Sequence, residues 1–139
     1  MKALTTAQIS MEYMVIVGFA LLLTIPTIVI FFSQSTQTIE QVNTAQAKQI
    51  ARKIVDNAEK VYYLGKPATT TIKVSMPSGV ESIFISGKEV MISVRGTSGV
   101  SDIVEVSTVN ITGNLTASSG VRHIRIENIG SSVNVSYSD

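Results

Sequence analysis

Hydrophobic positions along the chain follow three successive patterns. From Met14 to Phe32 nineteen residues carry no charge, and only Thr24, Pro26 and Thr27 interrupt the apolar run. At a helical rise of about 1.5 Å per residue that run spans roughly 28 Å, enough to cross the hydrocarbon core of a bilayer. Beyond it, Ile39, Val42, Gln46, Ile50, Ile54, Ala58 and Val61 recur at three- and four-residue steps, all apolar or small except Gln46. Such spacing predicts one face of an amphipathic helix. From Thr69 onward the period becomes two, in short β-branched runs.

The first two patterns join without a break. Ser33 to Thr38 is polar but holds neither Gly nor Pro, and the first stop signal is Gly65 followed by Pro67. One helix is therefore predicted over residues 8–65, ending near Leu64, on the order of 85 Å long. Its residues 8–32 form an apolar half and 33–65 an amphipathic half. The polar face of the second half carries Lys48, Arg52, Lys53, Asp56, Glu59 and Lys60. Arg52–Asp56 and Asp56–Lys60 are i,i+4 pairs worth a few tenths of a kcal/mol, roughly. No heptad persists long enough for a soluble coiled coil. Pro26 removes a backbone donor and crowds the Leu22 carbonyl, so a kink or local loosening is expected, which Thr24 and Thr27 can help satisfy. It reads either as an ordinary membrane-helix proline or as a bend that adjusts the helix between bilayer and filament.

Six strands are predicted in the last part: TTIKVSM, VESIFIS, EVMISVR, DIVEVSTV, VRHIRIE and SVNVSYS, separated by PSG, GK, GTSG, SSG and IGSS. Lys66–Pro67–Ala68 marks the boundary, and residues 66–139 form the β domain. The fold class is α+β: a long N-terminal helix, transmembrane and then amphipathic, packed on a small antiparallel β-sheet or sandwich.

Composition narrows the function. The 139 residues leave room for one modest domain beside the apolar segment, which itself inflates the mean hydropathy to +0.32. A net charge of +1 gives no reason for nucleic acid as a partner. Without cysteine there is no disulfide framework and no thiol chemistry. His123 is the only histidine and reads as an exposed or cross-strand residue. No acidic pair has catalytic spacing, and GTSGVSD lacks the lysine and following helix of a phosphate loop. No catalytic, cofactor or metal site is predicted. The β domain balances its charges and is rich in Ser and Thr, a surface suited to display in water.

The N-terminal order carries the rest. A seven-residue leader, MKALTTA, precedes QISME and then the apolar run. Lys2 is the only basic side chain before the run, and the next is Lys48, so the positive-inside rule places the N-terminus in the cytoplasm and the rest outside. The run is longer than a secretory signal core, and no small-x-small site follows it closely. Glu12 is the one charge between Gln8 and Phe32. It reads either as an interface carboxylate favoured by the first-turn dipole or as a group with a partner.

With Gln8, Ser10 and Glu12 in place, the sequence resembles the Q-x-S-x-E class III signal peptide of archaeal type IV pilins, with Ile16 where that family often has leucine. The likeness extends through VGFALLLTIP and the helix ending KIVDNAEKVYYLG. It implies cleavage between Ala7 and Gln8 by a membrane prepilin peptidase, retention of the apolar helix, and pairing of the new Gln8 amine with Glu12 in its own or a neighbouring chain. It also implies an assembly ATPase and a platform protein as partners, with identical or related subunits as the main ones. Lipid and a helix bundle are similarly apolar, so packing at small residues such as Gly18 and Ala20, and charge pairing at Glu12, would have to favour the bundle. The resemblance thus implies an adhesive surface filament, held in the cytoplasmic membrane as precursor. An archaellum-type filament subunit and a single-pass anchored binding domain are the alternatives.

Three of the four asparagines after residue 66 lie in N-x-[ST] sequons: Asn110, Asn114 and Asn134. They read equally as turn and strand residues or as sites of N-glycosylation on an external domain.

Overall fold

The computed structural model describes residues 2–97 and 99–138, with side chains from Gln8 onward. Helix α1 runs Lys2–Leu64. It therefore includes the leader, which the sequence reading set apart. LTTAQISME contains no Gly or Pro to stop it, and good helix formers prevail around it. Helical assignment is unbroken through Pro26. Gly65, at φ +79°, ends the helix, and its N–H donates to the Tyr62 carbonyl at 3.1 Å. A left-handed glycine just past the last turn is a common way to close a helix.

Seven strands follow: β1 Thr69–Met76, β2 Val80–Ser86, β3 Glu89–Gly96, β4 Gly99–Val106, β5 Ile111–Gly113, β6 Gly120–Asn128 and β7 Val133–Tyr137. They form one sheet in the order β1-β6-β7-β5-β2-β3-β4. All pairs are antiparallel except β5–β7, which is parallel. Six strands match the predicted runs. The seventh, β5, has three residues, too few to show a period. β4 starts at Gly99 rather than Asp102 and stops at Val106 rather than Val109. The β3–β4 ladder continues to Gly96 opposite Gly99, and this long hairpin draws β4 toward its N-terminal side.

The chain divides into two compact units, Met1–Ile39 and Glu40–Asp139. The second unit holds the core. One sheet face contributes Ile72 and Val74 of β1, Ile83 and Ile85 of β2, Val90 and Ile92 of β3, Ile124 and Ile126 of β6, and Val133 and Val135 of β7. The helix contributes Ala47, Ile50, Ala51, Ile54, Val55, Ala58 and Val61. This differs from the predicted stripe at its lower end, where Ile39, Val42 and Gln46 are exposed. Residues at steps of four drift by about 40° each, because the helix turns 100° per residue. A stripe through 42, 46, 50, 54 and 58 therefore spirals off the sheet, and the alanines at 47 and 51 replace it.

Polar bonds fix the helix segment within this unit. Arg52 pairs with Glu105 at 3.5 Å, Lys53 Nζ donates to the Lys73 carbonyl at 2.9 Å, and Glu40 accepts the Thr97 N–H. Glu59 accepts both the N–H and the hydroxyl of Thr108, at 2.8 and 2.9 Å. Neither predicted i,i+4 pair is among the ion pairs of the described residues, since Arg52 reaches the sheet instead. Asn128 is buried at the end of β6. Its amide donates to the Val61 and Tyr62 carbonyls at 3.2 and 3.1 Å, and its carbonyl accepts the Gly130 N–H at 2.7 Å. It thereby supplies a donor to the Val61 carbonyl in the last turn, and a second donor to the Tyr62 carbonyl beside the Gly65 N–H.

Candidate assembly segment

Every described side chain from Gln8 to Phe32 is exposed, including Ile16, Phe19, Leu22, Ile25, Ile28 and Phe31. None of the apolar window is covered by the chain itself. At roughly 25 cal/mol per Å² of apolar surface, such a segment is strongly driven out of water. By length and composition this is a helix able to enter a membrane.

Four threonines of this unit turn their hydroxyls back onto the helix. The hydroxyls of Thr24, Thr27, Thr36 and Thr38 donate to the carbonyls of Ala20, Leu23, Phe32 and Gln34, at 2.7, 2.8, 3.2 and 3.0 Å. Each hydroxyl is thus satisfied inside its own helix, as lipid requires. The Leu22 carbonyl, which Pro26 deprives of a donor, receives neither Thr24 nor Thr27. That part of the expectation is corrected: a threonine in a helix reaches back four residues, to Ala20 and Leu23.

Gln8, Glu12 and Ile16 lie one turn apart and share a face, and Met11 and Val15 complete a shallow exposed groove beside them. The Glu12 carboxylate is exposed and, from Gln8 to Phe32, is the only charge. Ser10 is exposed too, but two residues from both Gln8 and Glu12 it points to nearly the opposite side of the helix. The Ala7 side chain lies outside the described residues, so the Ala7–Gln8 bond is placed only as part of α1. A Cβ added at Gly18 would meet nothing within 4 Å. Glycine there costs the helix about 1 kcal/mol relative to alanine and serves no contact within the chain. Ala20 is also exposed, but two residues from Gly18 it points to nearly the opposite side, so the two do not make one close-packing groove.

In the β domain, Asn110 and Asn114 are exposed and flank β5, while Asn134 is half-buried within β7. The parallel register puts Asn134 beside Thr112. No local pattern signals that these sequons converge, because the convergence depends on β5. His123 is exposed and stands opposite Lys73. Among the described residues no group of three metal-ligating side chains occurs. Two carboxylates are held below the ordinary carboxylate range, Glu40 by its hydrogen bonds from Thr97 and Glu59 by those from Thr108. Both serve the fold. Burial pushes the Tyr137 hydroxyl up.

No family model, curated protein or solved structure matches this chain.

Proposed function

We propose that the chain is a structural subunit of an archaeal type IV pilus-like surface filament. The observation that carries the reading is a helix whose N-terminal half is apolar all round and uncovered, while its C-terminal half is packed into a β domain. An apolar rod without a partner in its own chain needs lipid first and like rods afterwards. The Q-x-S-x-E pattern at Gln8, Ser10 and Glu12, directly before that rod, adds the processing step.

In this reading the precursor sits in the cytoplasmic membrane and a prepilin peptidase cuts between Ala7 and Gln8. The new amine of Gln8 then lies one turn from Glu12, and a neighbouring copy's amine can meet the same carboxylate. Either pairing offsets the cost of a lone carboxylate in apolar surroundings. Gly18 gives a neighbouring helix an open approach. Once the rod leaves lipid, exposure to water opposes disassembly. An assembly ATPase and a platform protein drive the transfer, and the β domain makes the adhesive contacts. The chain has no enzymatic role in this account.

N-terminal sequencing of the mature protein tests the reading. A start at Gln8 supports it; a start at Met1 favours the plain membrane-anchored domain. Loss of motility without loss of adhesion in a deletion strain would favour the archaellum-type reading.

A further inference from the structure

Resting on the external placement proposed above, we infer that Asn114 is the acceptor of an N-linked glycan and that Asn134, in the same tripeptide pattern, is not. The difference comes from what the backbone of each sequon is doing. A transferase must grip the main chain of Asn-x-Ser/Thr as well as the amide, so that main chain must be free of a sheet ladder.

Asn134 fails this condition. Within β7 it is paired with Thr112 of β5 on one side and Glu127 of β6 on the other, and Ser136 of the same sequon is paired with Arg125. Its side chain is half-buried. Asn110 is exposed, but its carbonyl accepts the Val133 N–H at 2.9 Å, the next N–H donates to the Gly87 carbonyl at 2.6 Å, and Thr112 is in the β5 ladder. Using either sequon means unzipping the centre of the sheet.

Asn114 meets the condition. It is the first residue after β5 and opens the segment 114–119, which belongs to no helix or strand. Asn114 and Thr116 are both exposed. Two attachments hold the tripeptide: the buried Leu115 side chain, and the Thr116 carbonyl, which accepts the Tyr137 hydroxyl at 2.6 Å. Neither is part of a ladder, so the segment can lift without breaking the sheet. Asn114 is exposed while the next residue, Leu115, is buried in the core, so the Asn114 side chain points away from the core toward the outer sheet face. β5 is central in the strand order, and the glycan would stand over the middle of that face, next to the uncharged Asn110 and Asn134.

The donor is a saccharide linked to a polyprenyl phosphate or diphosphate at the outer membrane surface of the cell. The Asn114 Nδ2 attacks the anomeric carbon and forms the N–C bond. The anomeric C–O bond breaks, the polyprenyl phosphate or diphosphate of the donor leaves with the electron pair, and the amide proton passes to a base of the transferase.

The test is intact-mass measurement and glycopeptide sequencing of the full chain from its native cells, alongside Asn110→Gln, Asn114→Gln and Asn134→Gln. The wild type is expected to exceed the bare mass by whole sugar residues, with Asn114 occupied. Asn114→Gln is expected to lose that mass entirely, while Asn110→Gln and Asn134→Gln keep it. A bare wild-type chain, or sugar on Asn110 or Asn134 with Asn114 bare, would overturn the inference. A bare chain that starts at Gln8 and sits in filaments rejects the glycan alone. A glycosylated chain that starts at Met1 and forms no filaments rejects the filament reading alone.

Discussion

Asn128 joins the end of the helix to the end of β6, and its removal should cost more than any single surface contact in the domain. Asn128→Ala deletes two bonds to the Val61 and Tyr62 carbonyls and one from the Gly130 N–H, at a site only 6 % exposed. Net values of about 0.5–1.5 kcal/mol per bond give a loss of about 3 kcal/mol, because water cannot readily replace the lost partner. For a unit of about one hundred residues, that lowers the melting temperature by about 15 °C. Asn128→Asp separates hydrogen bonding from shape. It keeps the acceptor for Gly130 but aims a carboxylate at two carbonyls, at the negative end of the helix dipole. At pH 7 it should destabilise more than alanine does. The assay is thermal unfolding of the full chain in detergent micelles, followed by the near-ultraviolet signal of its tyrosines, with Tyr62 and Tyr137 packed against the core. The reasoning is refuted if Asn128→Asp melts with the wild type, or if Asn128→Ala loses less than about 1 kcal/mol.

Ile54→Ala empties a fully buried position of the core and should cost about 2–5 kcal/mol, measured by denaturant unfolding of the same preparation. Gly113→Ala should destabilise the domain by about 1–3 kcal/mol, since a Cβ there runs into the Val135 main chain in the β5–β7 pair; hydrogen exchange of the β5 and β7 amides would locate the damage. Glu59 has a folded pKa below its unfolded one, so its contribution is present above the ordinary carboxylate pKa and is lost as pH falls through the lowered folded value. Glu59→Gln should therefore flatten part of the acid limb of the stability–pH curve, and an unchanged limb would contradict this. Glu12→Ala should leave precursor cleavage largely intact but reduce filament yield, read by immunoblot and by recovery of sheared surface material. Normal yield would remove the pairing role.

The sequence displayed the fold where its periods were long enough to detect. Residues 14–32 show a long uncharged, mostly apolar run and β2 shows alternation over seven residues, and both appear in the structure as read. β5 did not, because Ile111–Thr112–Gly113 is shorter than two periods and lies between asparagines that suggest a turn. Yet β5 links the β2-β3-β4 group to the β1-β6-β7 group. Asn128 was legible in principle: it follows Ile124 and Ile126 at inward positions, and an asparagine in phase with a core must find buried partners. What it caps lies more than sixty residues away, and no local pattern contains that. The clamps at Glu40 and Glu59 were hidden for the same reason. The exposed apolar half of the helix was legible almost entirely, since its character rests on composition and on Glu12 within it. The exception is the relation of Gly18 to Ala20, which helical geometry sets on opposite sides.

High-resolution electron cryo-microscopy of filaments sheared from native cells tests the central claim most directly. The account predicts a core of parallel helices built from residues 8–32 of many copies, each beginning at Gln8 with its amine beside a Glu12 carboxylate, and β domains outside. Filaments lacking this chain, or a surface form without residues 8–32, would contradict it.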